Sequence, residues 1–212
     1  KRPYKSSGGK MVYNEILKRE IPEGWEALFL EKRLSFERGF ECGAEVYTEN
    51  ADGSDAFTKY YRVGDMDDSG NTFIHKHLQD VKLLKPYDLV VSFDGSVGRI
   101  SFGLCGAFSS GIRKIEDKQK IIDNGVLLFI MASEDIQQTI KKYATGSNIL
   151  HASASIPHLT MAYNEDILAE YQSIIKPIYQ QLLEIKLENK RLEKLRDFLL
   201  PMLMNGQVSV SD

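Results

Sequence analysis

The sequence predicts an α+β protein: a mixed domain of short strands and a few helices, followed by one long C-terminal coiled-coil helix. Three observations carry this. Short β-branched and apolar runs recur between turns containing Gly, Pro and Asp, as in Leu89-Val90-Val91-Ser92-Phe93 before Asp94-Gly95. Residues 166–205 repeat apolar side chains at alternating steps of four and three, with charges of both signs between them. Hydrophobic residues make up 42% of 212, enough for one ordinary domain plus an arm.

Residues 1–20 are polar, include Ser6-Ser7-Gly8-Gly9 and lack a helical or strand period, so they form an extended lead-in. Ser7 and Lys10 match the S-x-x-K spacing of some acyl enzymes. Two glycines in a loop support a nucleophile poorly, and the companion motifs are missing. The folded domain spans residues 21–165, opened by a turn at Pro22 and Gly24 with Trp25 as a core anchor. Tyr60-Tyr61-Arg62-Val63 alternates like a strand, and the acid-rich residues 64–70 make a surface turn. A short apolar stretch at 81–84 precedes the turn Lys85-Pro86-Tyr87-Asp88 and the buried-type strand 89–93. Asp94-Gly95 then marks a hairpin, with short strands following at 99–102, 105–109 and 111–115. Residues 125–131 read as a core strand, 135–143 as a helix, 145–155 as a flexible loop and 158–162 as a last strand.

The arm occupies 166–205, with a tail at 206–212. Its seam is Tyr171, Ile175, Ile178, Leu182, Ile185, Asn189, Leu192, Arg196, Leu199 and Leu203, eight of them apolar or aromatic. Pro177 either starts the seam helix or kinks a longer one, and Gly206 supplies the stop. The rod would be roughly 60 Å long. Such a stripe either packs back on its own domain or pairs with another helix. Asn189 and Arg196, awkward in a dry core, favour pairing, most simply as a homodimer.

The net charge is −3, divided unevenly: residues 1–20 carry six Lys/Arg against two Glu, while residues 21–165 carry fifteen basic against twenty-one acidic. A DNA-binding middle domain would have to gather its basic residues on one face. Cys42 and Cys105 form no C-x-x-C and read as small buried hydrophobes of a reducing cytoplasm. No run of eighteen apolar residues suggests a membrane span, and the basic N-terminus lacks the apolar stretch of a signal peptide.

Enzyme machinery is not apparent. There is no P-loop, no G-x-G-x-x-G after a strand, no H-E-x-x-H and no G-x-S-x-G. His75 and His77 could share a metal, but with no third ligand nearby they read as solvated surface groups, and no metal is expected. The residues alone describe a binding module with a dimerising arm.

Several stretches resemble the specificity subunit of Type I restriction–modification systems. They are Pro3-Tyr4-Lys5-Ser6-Ser7-Gly8-Gly9-Lys10-Met11-Val12-Tyr13-Asn14, Arg19-Glu20-Ile21-Pro22-Glu23-Gly24-Trp25, the run from Lys85 through Asp94-Gly95-Ser96-Val97-Gly98-Arg99, and Arg196-Asp197-Phe198-Leu199-Leu200-Pro201-Met202-Leu203-Met204-Asn205-Gly206. The resemblance implies a non-catalytic target-recognition domain at 21–165 followed by a helical spacer. A usual member carries two of each, so this chain looks like a half-length form. The resemblance also implies double-stranded DNA as ligand. Its implied protein partners are modification subunits, which carry S-adenosylmethionine, and motor–nuclease restriction subunits; no cofactor is implied in this chain. The alternative is a coiled-coil scaffold that joins proteins without touching DNA.

Base edges in a groove are read by donors and acceptors on loops and strand ends. The candidates are Lys59, Tyr60, Arg62, Ser92, Arg99, Ser109, Ser110, Arg113, Ser147, Asn148 and His151, with Arg62, Arg99 and Arg113 foremost.

Overall fold

The computed structural model describes residues 8–49 and 55–207; Ser7 of the S-x-x-K match, the start of the lead-in motif and the end of the tail lie outside these. The chain begins with the hairpin β1 (Met11–Asn14) and β2 (Arg19–Pro22), where sequence suggested featureless extended chain. The Asn14 carboxamide oxygen accepts from the Ile16 and Leu17 amides, an Asx-type turn that closes the hairpin without a recognisable N-G pair. Next come β3 (Glu26–Phe29), the single turn α1 (Leu30–Arg33), β4 (Leu34–Arg38), β5 (Phe57–Tyr61), β6 (Phe73–His75), β7 (Leu83–Leu84) and β8 (Leu89–Ser92). The chain continues through β9 (Ile100–Ser101), β10 (Gly106–Phe108), β11 (Ile112–Asp117), α2 (Asn124–Ala132), α3 (Glu134–Lys142), β12 (Thr160–Tyr163) and α4 (Glu165–Met204).

Two four-stranded sheets stack beneath the helices. One runs β4-β11-β8-β9 and is antiparallel throughout. The other runs β6-β5-β10-β7, with β5 and β10 parallel. Alternation along β8 assigns its faces: Leu89, Val91 and Phe93 pack with Val126, Leu127 and Met131 of α2, while Val90 packs with Tyr61, Leu84 and Phe108 of the second sheet. A strand covered on both faces reads as continuously apolar, which is why 89–93 was legible.

Residues 125–131 are helix, not strand. The apolar run is short, and such a run does not distinguish a buried strand from a buried helix. Asp123 decides it as N-cap, accepting from Gly125 N at 2.9 Å. The acid-rich turn at 64–70 is also less superficial than expected, since Met66 is 2% exposed and Asp65 is buried. Cys105 is exposed and Cys42 half-buried, so neither is a deep core group.

Asn164 caps α4, accepting from Ile167 N at 3.1 Å, and the helix passes through Pro177 to Met204. Gly206, at φ +66°, ends it: its N–H reaches the Leu203 carbonyl and that of Gln207 reaches Met202. The first part of α4 packs on its own domain through Leu168, Gln172, Ile175, Tyr179, Leu183, Lys186 and Lys190. Ile175, expected in the pairing seam, is 7% exposed and belongs to this docked stripe. Further along, the seam is exposed: Ile178 43%, Leu182 41%, Ile185 58% and Leu192 52%. At 3.6 residues per turn, the two stripes lie about 100° apart around the axis. The expected packing of the arm on its own domain is therefore realised on one face, and the adjacent seam face is left exposed. Among the described residues no helix is long and apolar enough to cross a membrane.

Candidate nucleic-acid interface

The β4-β11-β8-β9 sheet has two unlike ends. At one, Tyr87 before β8 and Phe102 after β9 meet the arm: the Tyr179 hydroxyl donates to the Tyr87 carbonyl at 3.2 Å, and Lys186 Nζ donates to the Phe102 carbonyl at 2.7 Å. At the other, β4 ends at Arg38, β8 runs out into residues 93–98, β9 is entered from Arg99, and β11 is entered from Ser110 and Gly111. With β11 six residues long, these ends are roughly 20 Å apart. A tip of loops therefore projects away from the rod.

Local contacts weld that tip together. The Phe93 amide donates to Gly111 O at 2.8 Å, the Gly95 amide to Leu150 O at 2.8 Å, and the Ala152 amide to Phe93 O at 2.7 Å. These bonds bring the β8–β9 loop, the β10–β11 turn and residues 145–152 side by side. Gly95 and Gly98, at φ +66° and +81°, let the β8–β9 loop turn without strain. Gln137 of α3 supports it from below, donating to Gly98 O at 3.0 Å and to Met131 O at 2.8 Å. The D-G signal thus marks a real hairpin, though with a longer loop than a two-residue turn.

The candidates sort into three groups. Arg62, Arg99, Ser110, Ser147, Asn148 and His151 lie in the tip and retain exposed or half-exposed side chains. Arg62 uses Nε on Asp65 Oδ2 at 3.0 Å, and 52% of its side chain is exposed. Arg99 uses Nη1 on Val63 O at 2.9 Å. In each, the remaining guanidinium nitrogens have no partner among the described residues. His151 Nδ1 meets Asp94 Oδ1 at 2.8 Å, and Ser110 donates its hydroxyl to Glu41.

The second group is interior, a correction to the sequence expectation. Tyr60, 0% exposed, donates to Phe40 O at 2.9 Å, and burial pushes its phenol far up. Ser92 and Ser109 are buried; Ser92 donates to Ser96 O and accepts from Arg99 N at 2.9 Å, holding the loop closed. Arg113, 6% exposed, donates to Ser110 O and, at 2.9 Å, to Ser153 Oγ. Burial lowers its pKa, with neighbouring Arg38 adding to the effect. These groups shape the tip rather than offer donors to solvent.

Lys59 is alone in the third group. Its Nζ donates to Asp68 Oδ1 at 2.6 Å and to Asp68 O at 2.8 Å, toward the arm. Asp68 also takes Tyr61 OH at 2.8 Å and an ion pair from Lys190 of the arm. Lys59 belongs to the joint with the helix, not to the tip.

Sequence reasoning missed Arg38. It stands at the exposed end of β4, opposite Arg113 in the ladder, with Nε 3.4 Å from Ser110 O. The alternating run Leu34-Ser35-Phe36-Glu37-Arg38 before Gly39 is a strand signature that could have found it. Gly39 is required there, because a Cβ would fall 2.2 Å from Ser109 O. His75 and His77 are neighbours, ring centroids 5.4 Å apart, and among the described residues no group of three His, Cys, Asp or Glu gathers around them.

No family model matches the chain. It is 24% identical, over 224 aligned residues, to the Type I restriction enzyme MjaIX specificity subunit of Methanocaldococcus jannaschii, covering 99% of this chain and 50% of that relative. Its fold is shared with a solved Type I restriction–modification S subunit from M. genitalium, at TM-score 0.57 and 15% identity over 85% of this chain and 46% of that one. An HsdS subunit from Thermoanaerobacter tengcongensis gives TM-score 0.52 and 16% identity, over 87% of this chain and 46% of that one. The chain thus spans about half the length of the proteins it resembles.

Proposed function

We propose that this chain is a DNA sequence-specificity component of a Type I restriction–modification complex, reading one half of a bipartite double-stranded site. The observation that carries this reading is the division of one sheet between two tasks. One end holds the arm, and the other presents Arg38 and Arg99, with Arg62 of the neighbouring sheet and Ser and Asn side chains on loops beside them. Likeness to the MjaIX specificity subunit along nearly the whole chain supports the same reading.

The tip enters a major groove, where an arginine with two free nitrogens bonds guanine O6 and N7. Asp65 and the Val63 carbonyl each hold one nitrogen of Arg62 and Arg99, which orients the fork and lowers the entropy lost on binding. The chain supplies recognition. Methyl transfer belongs to modification subunits that carry S-adenosylmethionine, and cleavage to motor–nuclease subunits, both docked on this chain.

The exposed seam of α4 would be covered by a second copy's arm, and the chain then works as a homodimer of antiparallel arms. Pairing centred on Leu187 sets Tyr171 against Leu203, Ile178 against Arg196 and Ile185 against Asn189. A parallel pair would instead stack Arg196 on its own copy, which like-charge repulsion disfavours.

Methylome sequencing of cells expressing this chain with its modification subunit tests the whole reading. The expected result is one two-fold symmetric bipartite motif that disappears without this chain. Unchanged methylation, together with no salt-dependent duplex binding by the purified protein, would return the chain to the scaffold class.

A further inference from the structure

We infer that an apolar groove beside Trp25 seats the last helical turns of a second copy's arm. The inference rests on the antiparallel dimer proposed above. The groove, about 470 Å³, lies between the β1–β2 hairpin, β12, α2 and the first turns of α4, with Trp25, Phe129, Ile130, Met161 and Tyr171 on its walls. Phe129 is 43% and Tyr171 39% exposed on its rim, their rings 6.3 Å apart edge to face.

At the far end of the same helix, Leu200, Leu203 and Met204 are 49%, 41% and 78% exposed. Leu200 and Met204 lie on the docked side of the helix, beyond Lys190, the last residue of the stripe bonded to the domain among those described. They are exposed apolar side chains on the side of the helix that docks. A leucine and a flexible thioether suit a groove walled by aromatic rings.

This chain cannot bring the two regions together. Tyr171 and Met204 are thirty-three residues apart on one uninterrupted helix, so roughly 50 Å separates them. A second copy running antiparallel does so at once. When Leu203 of one arm meets Tyr171 of the other, the adjacent Leu200 points to the side on which the groove opens. Parallel arms would leave the groove empty.

Trp25, the single tryptophan, lies in the groove and reports on it. The test compares the parent with Leu200→Ser/Met204→Ser, which leaves the seam intact, and with Leu182→Asp/Ile185→Asp, which breaks it. In a parallel experiment, Phe129→Cys and Leu200→Cys proteins, both in a Cys42→Ser/Cys105→Ser background, are mixed and treated with a short bismaleimide. Light scattering should show dimers for the parent and for the Leu200/Met204 variant. Acrylamide quenching of Trp25 should rise about twofold in that variant, as loss of the covering side chains readmits water. The mixed cysteine proteins should cross-link, and neither protein should do so alone. Equal quenching in a dimeric variant, with no cross-link, would overturn the seat and leave the dimer standing. A monomeric parent would overturn both.

Discussion

Gly125 of α2 and Tyr179 of α4 approach so closely that a Cβ added at Gly125 would fall 2.7 Å from the tyrosine's own Cβ. Neither atom is the end of a flexible chain, so the two helices would have to part. Gly125→Ala therefore pits two effects against each other. Helix propensity favours alanine by up to about 1 kcal/mol, while overpacking costs about 1–3 kcal/mol. We predict a net loss, with the thermal midpoint falling by about 2–4 °C for each kcal/mol. A calorimetric midpoint that rises instead would mean that the arm is not held by this contact.

A second joint, at Asp68, should make the arm sensitive to acid. Burial alone would push the Asp68 carboxyl up, but hydrogen bonds from Lys190, Lys59 and Tyr61 outweigh it and hold the group below the ordinary carboxylate range. A carboxyl depressed in the fold stabilises it above the unfolded value of about 3.9, and that contribution drains away as pH falls through the folded value. Asp68 has φ +73°, which asparagine also tolerates, so Asp68→Asn removes charge without straining the backbone. The variant should lose about 1–3 kcal/mol at neutral pH. Urea midpoints of the two proteins should then converge as pH drops below the carboxylate range. A gap that does not depend on pH would remove Asp68 from the joint's electrostatics.

These joints show what the sequence could and could not carry. The seam of α4 was legible because it repeats, and β8 because both of its faces are covered. The docked stripe was not, since Gln172, Lys186 and Lys190 are polar and their partners, Asp123 N, Phe102 O and Asp68, are distant in sequence. The same holds at the tip. Arg62 and Arg99 were legible as strand-end arginines, whereas Arg113 carries the same local signal and is buried. Only the turn of Ser110 toward Arg113, and the arrival of Ser153 from forty residues away, distinguish it.

That distinction separates the arginines experimentally. Arg113→Ala should destabilise the domain by about 1–3 kcal/mol, leaving the Ser110 carbonyl and Ser153 hydroxyl unpaired. Arg38→Ala and Arg99→Ala should leave the thermal midpoint nearly unchanged, while Arg62→Ala should lower it by taking the partner from buried Asp65. If one of them reads guanine, its loss should cost about 1–3 kcal/mol in duplex affinity and relax the methylated motif at one position. An arginine on phosphate would instead weaken all sequences alike and lower the salt dependence. Three folded variants with unaltered affinity and motif would remove the tip from recognition.

The arm itself should act as a ruler. Among the described residues the last bond from α4 to its domain is the Lys190–Asp68 ion pair, so a heptad inserted after Glu193 leaves these bonded contacts in place. Seven residues also return each seam side chain to its own layer, keeping the paired register. In an antiparallel dimer the two domains then separate by roughly 10 Å, close to three base pairs at about 3.4 Å each. The added length also rotates one domain around the duplex by about a third of a turn, so weaker methylation is expected. Half-site bases should remain the same while the preferred spacer between them grows. Methylome sequencing of the insertion variant decides the matter: methylation at the original spacing would show that something other than α4 sets the distance between half-sites.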